Sequence, residues 1–202
     1  GGEVLETGLH IDTGDRDGLC FAVPGTLSKT GFGAENTAQL LLTMHDETGT
    51  PFDGDPRQIL ARQVEILKDE GLTACAAFEL EFFLFDPHLA VSGSIPERPQ
   101  VQGGPERQNM YAMDALEDHA DVFQAINAAA KLQGVQTDTI VSEAAPGQFE
   151  VNLTHQSDIL RAADDAVLLR RILKGGARDH GLKASFMEKQ FSECAGNGMH
   201  IH

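Results

Sequence analysis

Hydrophobic positions recur along this chain with two periods, and the change from one to the other outlines the elements. Residues 1–51 alternate over short distances between turn signals. Gly8–Asp12 and Thr37–Met44 read as strands, with turns at Thr13–Gly18, Pro24-Gly25 and Glu47–Gly49. Asp55-Pro56 then opens a helix, Asp as the cap and Pro at the first helical position. Its apolar positions Ile59, Leu60, Val64 and Leu67 follow the helical period, and Gly71 ends it. Phe78–Asp86 is the most apolar run in the chain and reads as a strand. Residues 87–110, rich in proline and glycine, read as a long surface excursion, a kind of loop that is often functional. Asp114 and Glu117 fit a capping box for a helix running to about Gln133, with Leu116, Ala120, Phe123 and Ile126 inward and Gly134 closing it. Val135–Glu143 and Gln148–Thr154 read as a hairpin around Ala144–Gly147. Ser157 is placed to cap a helix to about Asp179, with Leu160, Ala163, Val167 and Leu168 among its apolar positions. Short strands at Lys183–Met187 and Gly198–His202 complete the pattern. A hairpin stands where a parallel sheet needs a crossover, so the fold class is α+β with an antiparallel sheet.

The Phe78–Asp86 strand holds two residues that do not suit it. Side chains alternate along a strand, so Glu79, Glu81, Phe83 and Phe85 share one face, and Phe78, Leu80, Phe82 and Leu84 the other. Like charges side by side on an aromatic strand are costly unless cations or protons compensate them. The simplest alternative is an edge strand with two solvated glutamates. The downstream hairpin bears on the choice. Glu143 closes its first strand. Gln148, Glu150 and Asn152 share one face of its second strand, with Phe149, Val151 and Leu153 on the core face. At the C-terminal strand His200 and His202 alternate with Met199 and Ile201. Four glutamates with one or two imidazoles form an oxygen-rich donor set that suits Mg²⁺ or Mn²⁺ better than Zn²⁺. Two such ions are a common device in phosphoryl transfer. The spacing of a P-loop is absent: Gly176 to Lys183 is one residue out of register, and Gly196-Asn197-Gly198 does not complete a dinucleotide fingerprint.

Composition narrows the partners. The 202 residues carry 15 basic and 31 acidic side chains, a formal charge of −16. Such a balance argues against nucleic acid or an anionic membrane surface and suits cations. No window approaches the roughly 20 apolar residues of a membrane span. Cys20, Cys75 and Cys194 are odd in number and widely spaced, as expected of free thiols in a reducing cytoplasm. The chain opens Gly-Gly-Glu-Val and stops at His202 inside an apolar pattern, as expected of a piece of a longer protein.

Taken together, Phe78–Asp86, Ser142–Leu153, Ala184-Ser185-Phe186-Met187 and Gly198-Met199-His200-Ile201-His202 resemble the glutamine synthetase superfamily in order and approximate spacing, over nearly the whole chain. The segments around Pro24–Leu27 and Thr37–Glu47 and the Glu143–Glu150 hairpin look most like its γ-glutamylpolyamine branch, of which the γ-glutamylputrescine synthetases are the named members. The resemblance implies that residues 1–51 are the C-terminal part of a β-grasp domain and 52–202 the first part of the catalytic domain. It implies an ATP-dependent ligase that phosphorylates the γ-carboxylate of glutamate and lets an amine, putrescine or another polyamine, displace phosphate. The alternatives are glutamine synthetase itself, with ammonia, or a non-catalytic regulatory relative, which predicts broken ligands.

Two divalent ions, Mg²⁺ or Mn²⁺, are implied per site. One would be held by Glu81, Glu143 and Glu150. The other would be held by Glu79 and His200, with a further glutamate beyond residue 202. His202 and Asp138 are implied on the nucleotide side, and Gly196 and Ala195 beside the amino-acid substrate. No residue is assigned to the chemical step itself. The family's ring-built, dodecamer-like homo-oligomer, with sites at subunit boundaries, is likewise implied. Three departures stand out. Asn197 occupies the place of a frequent serine, Ala195 stands where glutamine synthetases proper have asparagine, and Lys189-Gln190 replaces a common Lys-Pro.

Overall fold

The computed structural model describes residues 18–87 and 110–202 of the 202. The strand expected at Gly8–Asp12, most of the turn after it, and nearly all of the 87–110 excursion lie outside the described residues. The described residues form two compact units, one of residues 18–27 and 39–74, the other of 28–38, 75–87 and 110–202.

In the first unit, strand β1 (Leu19–Ala22) pairs antiparallel with β4 (Leu42–His45). Strands β2 (Ser28–Lys29) and β3 (Ala38–Gln39) form a separate short ribbon, whose residues 28–38 belong to the second unit. The single strand expected over Thr37–Met44 is thus two strands, β3 and β4, interrupted at Leu40-Leu41. Pro24-Gly25 is a turn, as expected. Helix α1 (Pro56–Asp69) begins where the Asp-Pro pair places it. Asp55 accepts from the backbone N–H of Arg57 and Gln58 through one carboxylate oxygen, and from Met44 N–H at 2.7 Å through the other. The cap therefore also ties the helix to β4. Leu60, Val64 and Leu67 are half-buried and Ile59 is exposed. By compactness α1 groups with this first unit.

The second unit is built on β5 (Phe78–Phe85). Helices α2 (Met113–Glu117) and α3 (Ala120–Gln133) follow, then β6 (Thr137–Ser142), β7 (Gln148–Leu153), helix α4 (Ile159–Asp179), β8 (Lys183–Ser185) and β9 (Met199–Ile201). The sheet runs β6-β7-β5-β8, and β9 also pairs with β5; the pairings found are antiparallel. β5 is therefore the central strand. β7 covers one of its edges, while β8 and β9 share the other, pairing with its C-terminal and N-terminal halves. An edge strand with solvated glutamates is excluded.

One face of the sheet is the core. Phe82 and Leu84 are fully buried and Leu80 nearly so. Phe82 stacks against Phe149 of β7 and Phe186, and Phe149 meets Phe123 of α3 at 5.0 Å between ring centres. Each such side chain, fully buried, contributes roughly 1.5–3 kcal/mol. α3 and α4 pack on each other and α4 on β5.

Three local expectations need correction. One helix was expected from Asp114 to Gln133, but the chain breaks at Asp118-His119, and Asp114 lies in the first turn of α2 rather than at its cap, which is Ala112. The break lets the His119 ring pack edge-on against Phe149 and Phe123. The cap of α4 is Asp158, accepting from Arg161 N–H at 3.1 Å, one residue beyond Ser157. The buried stripe of α4 passes through Ala162, Asp165, Ala166, Leu169, Ile172 and Leu173, and Val167 is exposed. Asp165 is tolerated there because Arg161 pairs with it at 2.8 Å and Gln156 donates to it at 2.8 Å. Gln156 also pairs through its backbone with Ala76, just before β5.

Candidate metal and phosphoryl-transfer site

Register brings the predicted ligands together. Glu81 lies directly across from Glu150, and Glu79 lies between Asn152 on β7 and His200 on β9. Residues opposed in neighbouring strands of a sheet point to the same face. Glu79, Glu81, Glu150 and His200 therefore project together from the face opposite the Phe82 core, across three adjacent strands. The Glu143 N–H donates to Gln148 O at 2.8 Å, which closes the hairpin and sets Glu143 at its mouth. Gly147 supplies the positive φ of that turn, 73°.

The donor atoms converge in two groups. Glu79, His200 and His202 form one, Glu81, Glu150 and His200 the other, with the donor atoms of each within 4.8 Å of one another. His202 Nε2 lies 3.0 Å and His200 Nδ1 3.3 Å from the same Glu79 oxygen, and His200 Nδ1 is 3.9 Å from Glu150. His200 thus stands between the groups.

The electrostatics are those of a site short of positive charge. Burial raises the Glu150 carboxyl above the ordinary carboxylate range, and the charges of Glu79, Glu143 and Glu81 raise it further. Burial also leads for Glu143, followed by the charge on Glu81, with a backbone hydrogen bond at Ala144 and His200 opposing. Two unit charges about 5 Å apart repel by about 3 kcal/mol at an effective dielectric near 20, and several such pairs meet here. The space between the donors is also kept open. A side chain at Gly198 would come within 3.0 Å of Glu81 Oε1 and 3.1 Å of His200 Nε2. Oxygen-rich donors with imidazole, mutually repelling and converging on an open cradle, fit hard divalent cations.

Other expected residues lie apart from this cluster. Asp138 is exposed on β6, beside the irregularity in the β6–β7 pairing between Thr137 and Ile140, and joins neither group. Ala195 and Gly196 are exposed in the loop before β9. One residue that sequence reasoning passed over is central. Gln148 is 1% exposed, and its amide reaches Glu81, Gly196 and Asn197. Its place on the Glu150 face of β7 was the only available signal.

The family described as glutamine synthetase, catalytic domain, matches residues 53–202. The chain belongs to the glutamine synthetase family. Among curated relatives, it is 41% identical to the γ-glutamylputrescine synthetase PuuA of Escherichia coli K12 over 204 residues, all of this chain and 43% of that protein. It is 34% identical to the glutamine synthetase of Methanocaldococcus jannaschii, over 99% of this chain and 45% of that one. A glutamate–isopropylamine ligase from a Pseudomonas species is 30% identical over 83% of this chain and 36% of its own length. The chain thus spans less than half the length of these relatives. Among solved structures, a GmaS complex with ADP superposes with a TM-score of 0.82 at 28% identity, over 96% of this chain and 43% of that one. The glutamine synthetase of Plasmodium falciparum, at 21% identity and a TM-score of 0.80, shares the fold. The glutamine synthetase-like α+β fold expected from the sequence is the one found.

Proposed function

We propose that the protein is an ATP-dependent carboxylate–amine ligase that forms a γ-glutamyl amide through γ-glutamyl phosphate, with glutamate and a polyamine, putrescine first, as its substrates. The observation that supports this most is the donor set. Glu79, Glu81, Glu150, His200 and His202 converge in two donor groups on one side of the sheet, and Glu143, which joins neither group, lies near enough for its carboxyl to feel the charge on Glu81, in a chain 41% identical along its whole length to a γ-glutamylputrescine synthetase. A non-catalytic relative predicts the loss of such ligands.

Glu81, Glu143 and Glu150 would hold one divalent cation, and Glu79 with His200 the second. Such ions, when bound, supply positive charge that offsets the charge developing on the transferred phosphoryl group. The protein's own part is to fix Glu79, Glu81, Glu150 and His200 on three paired strands, so that little reorganisation remains at the moment of transfer. His202, 3.0 Å from Glu79, would extend the site on its nucleotide side, with Asp138 further along the sheet. Gly196 and Ala195 would border the glutamate. Residues 1–51 are read as the C-terminal part of a β-grasp domain and 52–202 as the first part of the catalytic domain. The protein is read as cytoplasmic and as a ring-built homo-oligomer. Among the described residues no helix is long and apolar enough to cross a membrane.

The similarity to the archaeal glutamine synthetase favours ammonia as a second reading. Phosphate release by the full-length protein with ATP, glutamate and Mg²⁺ separates the two. Faster release with putrescine than with ammonia is expected. Faster release with ammonia would make it a divergent glutamine synthetase, and release with neither would remove the ligase reading.

A further inference from the structure

Gln148 and Asn197 join the carboxylate cluster to the glycine loop before β9. Gln148 Nε2 lies 3.2 Å from Glu81 Oε2, 2.9 Å from Gly196 O and 3.1 Å from Asn197 Oδ1, while its Oε1 accepts from Ala145 N–H at 3.2 Å. The amide has only two protons for these three acceptors, so all of its donor capacity is committed. Because Gln148 is buried, losing those bonds would leave polar groups stranded away from water.

Asn197 continues the connection. Its side-chain amide donates to Ser185 O at 3.2 Å and Met187 O at 3.0 Å, and its backbone N–H to Glu188 O at 2.9 Å. The serine frequent at this place in the family has one hydroxyl proton and cannot donate to both carbonyls. Gly196 sits tight in the same loop, since a Cβ there would lie 2.5 Å from Glu188 O.

The hydrogen bond from Gln148 engages Oε2 of Glu81, while Oε1 is the oxygen beside the Gly198 cradle and His200. One oxygen is thereby held by the protein and the other presented to the site. Anything that draws Glu81 toward the cradle also pulls on the amide that holds Gly196 and Asn197.

We infer that Gln148 is a positioning residue that orients Glu81, and that Gln148 and Asn197 together form an amide relay that makes the order of the Gly196–Gly198 loop depend on cation binding at Glu81. This rests on the metal reading of the preceding subsection. Gly196 borders the expected glutamate position, so the relay would let the cation prepare the amino-acid side of the site.

The test uses the full-length protein without ATP, Mn²⁺ as the probe, and two readouts: Mn²⁺ binding by calorimetry, and deuterium exchange of the segment 186–198. In the wild type, Mn²⁺ is expected to slow exchange in this segment. Gln148→Met, which keeps the volume but has no donor, should weaken one of the two Mn²⁺ sites by about 10- to 100-fold, as expected when the partner of a metal-binding carboxylate is removed. Asn197→Ala, at a half-buried loop position, should abolish the slowing while leaving both sites within about threefold of wild type, the Glu81–Gln148 bond being intact. A merely structural role would lower thermal stability and change neither readout. Slowing that persists in Asn197→Ala, no slowing in the wild type, or wild-type affinity in folded Gln148→Met each overturn the relay. Should Gln148→Met fail to fold, the exchange of Asn197→Ala decides alone. A wild type that binds no Mn²⁺ overturns the metal reading and the relay with it, whereas wild-type binding with unaltered variants overturns the relay only.

Discussion

Glu150 shows what the site costs the fold. It is 9% exposed, faces Glu81 across the β5–β7 pair, and has its carboxyl pushed upward by burial and by three neighbouring glutamates. A group whose folded-state pKa is raised binds its proton more tightly in the native state, so stability falls as pH rises from the ordinary carboxylate value through the raised one. Glu150→Gln removes that charge and keeps the shape. The metal-free variant is expected to melt no lower than the wild type at pH 7.5, and to bind Mn²⁺ at least about tenfold more weakly. Parallel thermal melts and Mn²⁺ titrations check both halves, and a variant that binds as tightly as the wild type would take Glu150 out of the ligand set. His119 has the opposite sign. Burial against Phe149 and Phe123 holds its imidazole below the ordinary value, with Asp118 opposing in part. The unfolded chain then takes up the proton first, so stability is lost as pH falls through about 6.5. His119→Phe should reduce the fall in melting temperature between pH 7.5 and 5.5; an unchanged fall would show that His119 does not contribute to it.

At the level of elements, the site depends on a sheet made rigid from behind. β5 was legible as a strand from its apolar run, and α1 from its Asp-Pro start. The end of α3 was legible too, with Gly134 at a φ of 70° at its C-cap. Its beginning was not, because nothing local distinguishes Asp118-His119 from a continuing helix; the break goes with the packing of the His119 ring on Phe149 of β7. The wrong face assignment for Val167 has a similar origin. Several registers of α4 present an apolar stripe, and the contacts with α3 and the sheet choose among them. Those contacts are close. A Cβ at Gly176 would lie 2.7 Å from Cγ1 of the fully buried Ile126 on α3. Gly176→Ala would gain helix propensity but force the two helices apart, and a net destabilisation of about 1–3 kcal/mol is expected. Chemical denaturation measures it, and a variant of equal or greater stability would show that the α3–α4 contact yields freely.

For the whole molecule, the charge of −16 suits cations and opposes nucleic acid or an anionic membrane surface. The proposed ring assembly is the property least visible within a single chain. Sedimentation of the full-length protein at micromolar concentration is expected to give a high-order oligomer, and a monomer would remove that part of the reading.

The sequence by itself determined the strand and helix types, the outward alternation of Glu79, Glu81, Glu150, His200 and His202, and the chemical kind of ion that such donors suit. Those properties follow from side-chain chemistry and from the period of each element, which are local. Tertiary structure alone decided that β5 is central rather than at an edge, and that Glu81 opposes Glu150 while His200 opposes Glu79. It also made Gln148 the buried link between that cluster and the glycine loop. Strand order and register are set by contacts between residues tens of positions apart, and no local pattern encodes them.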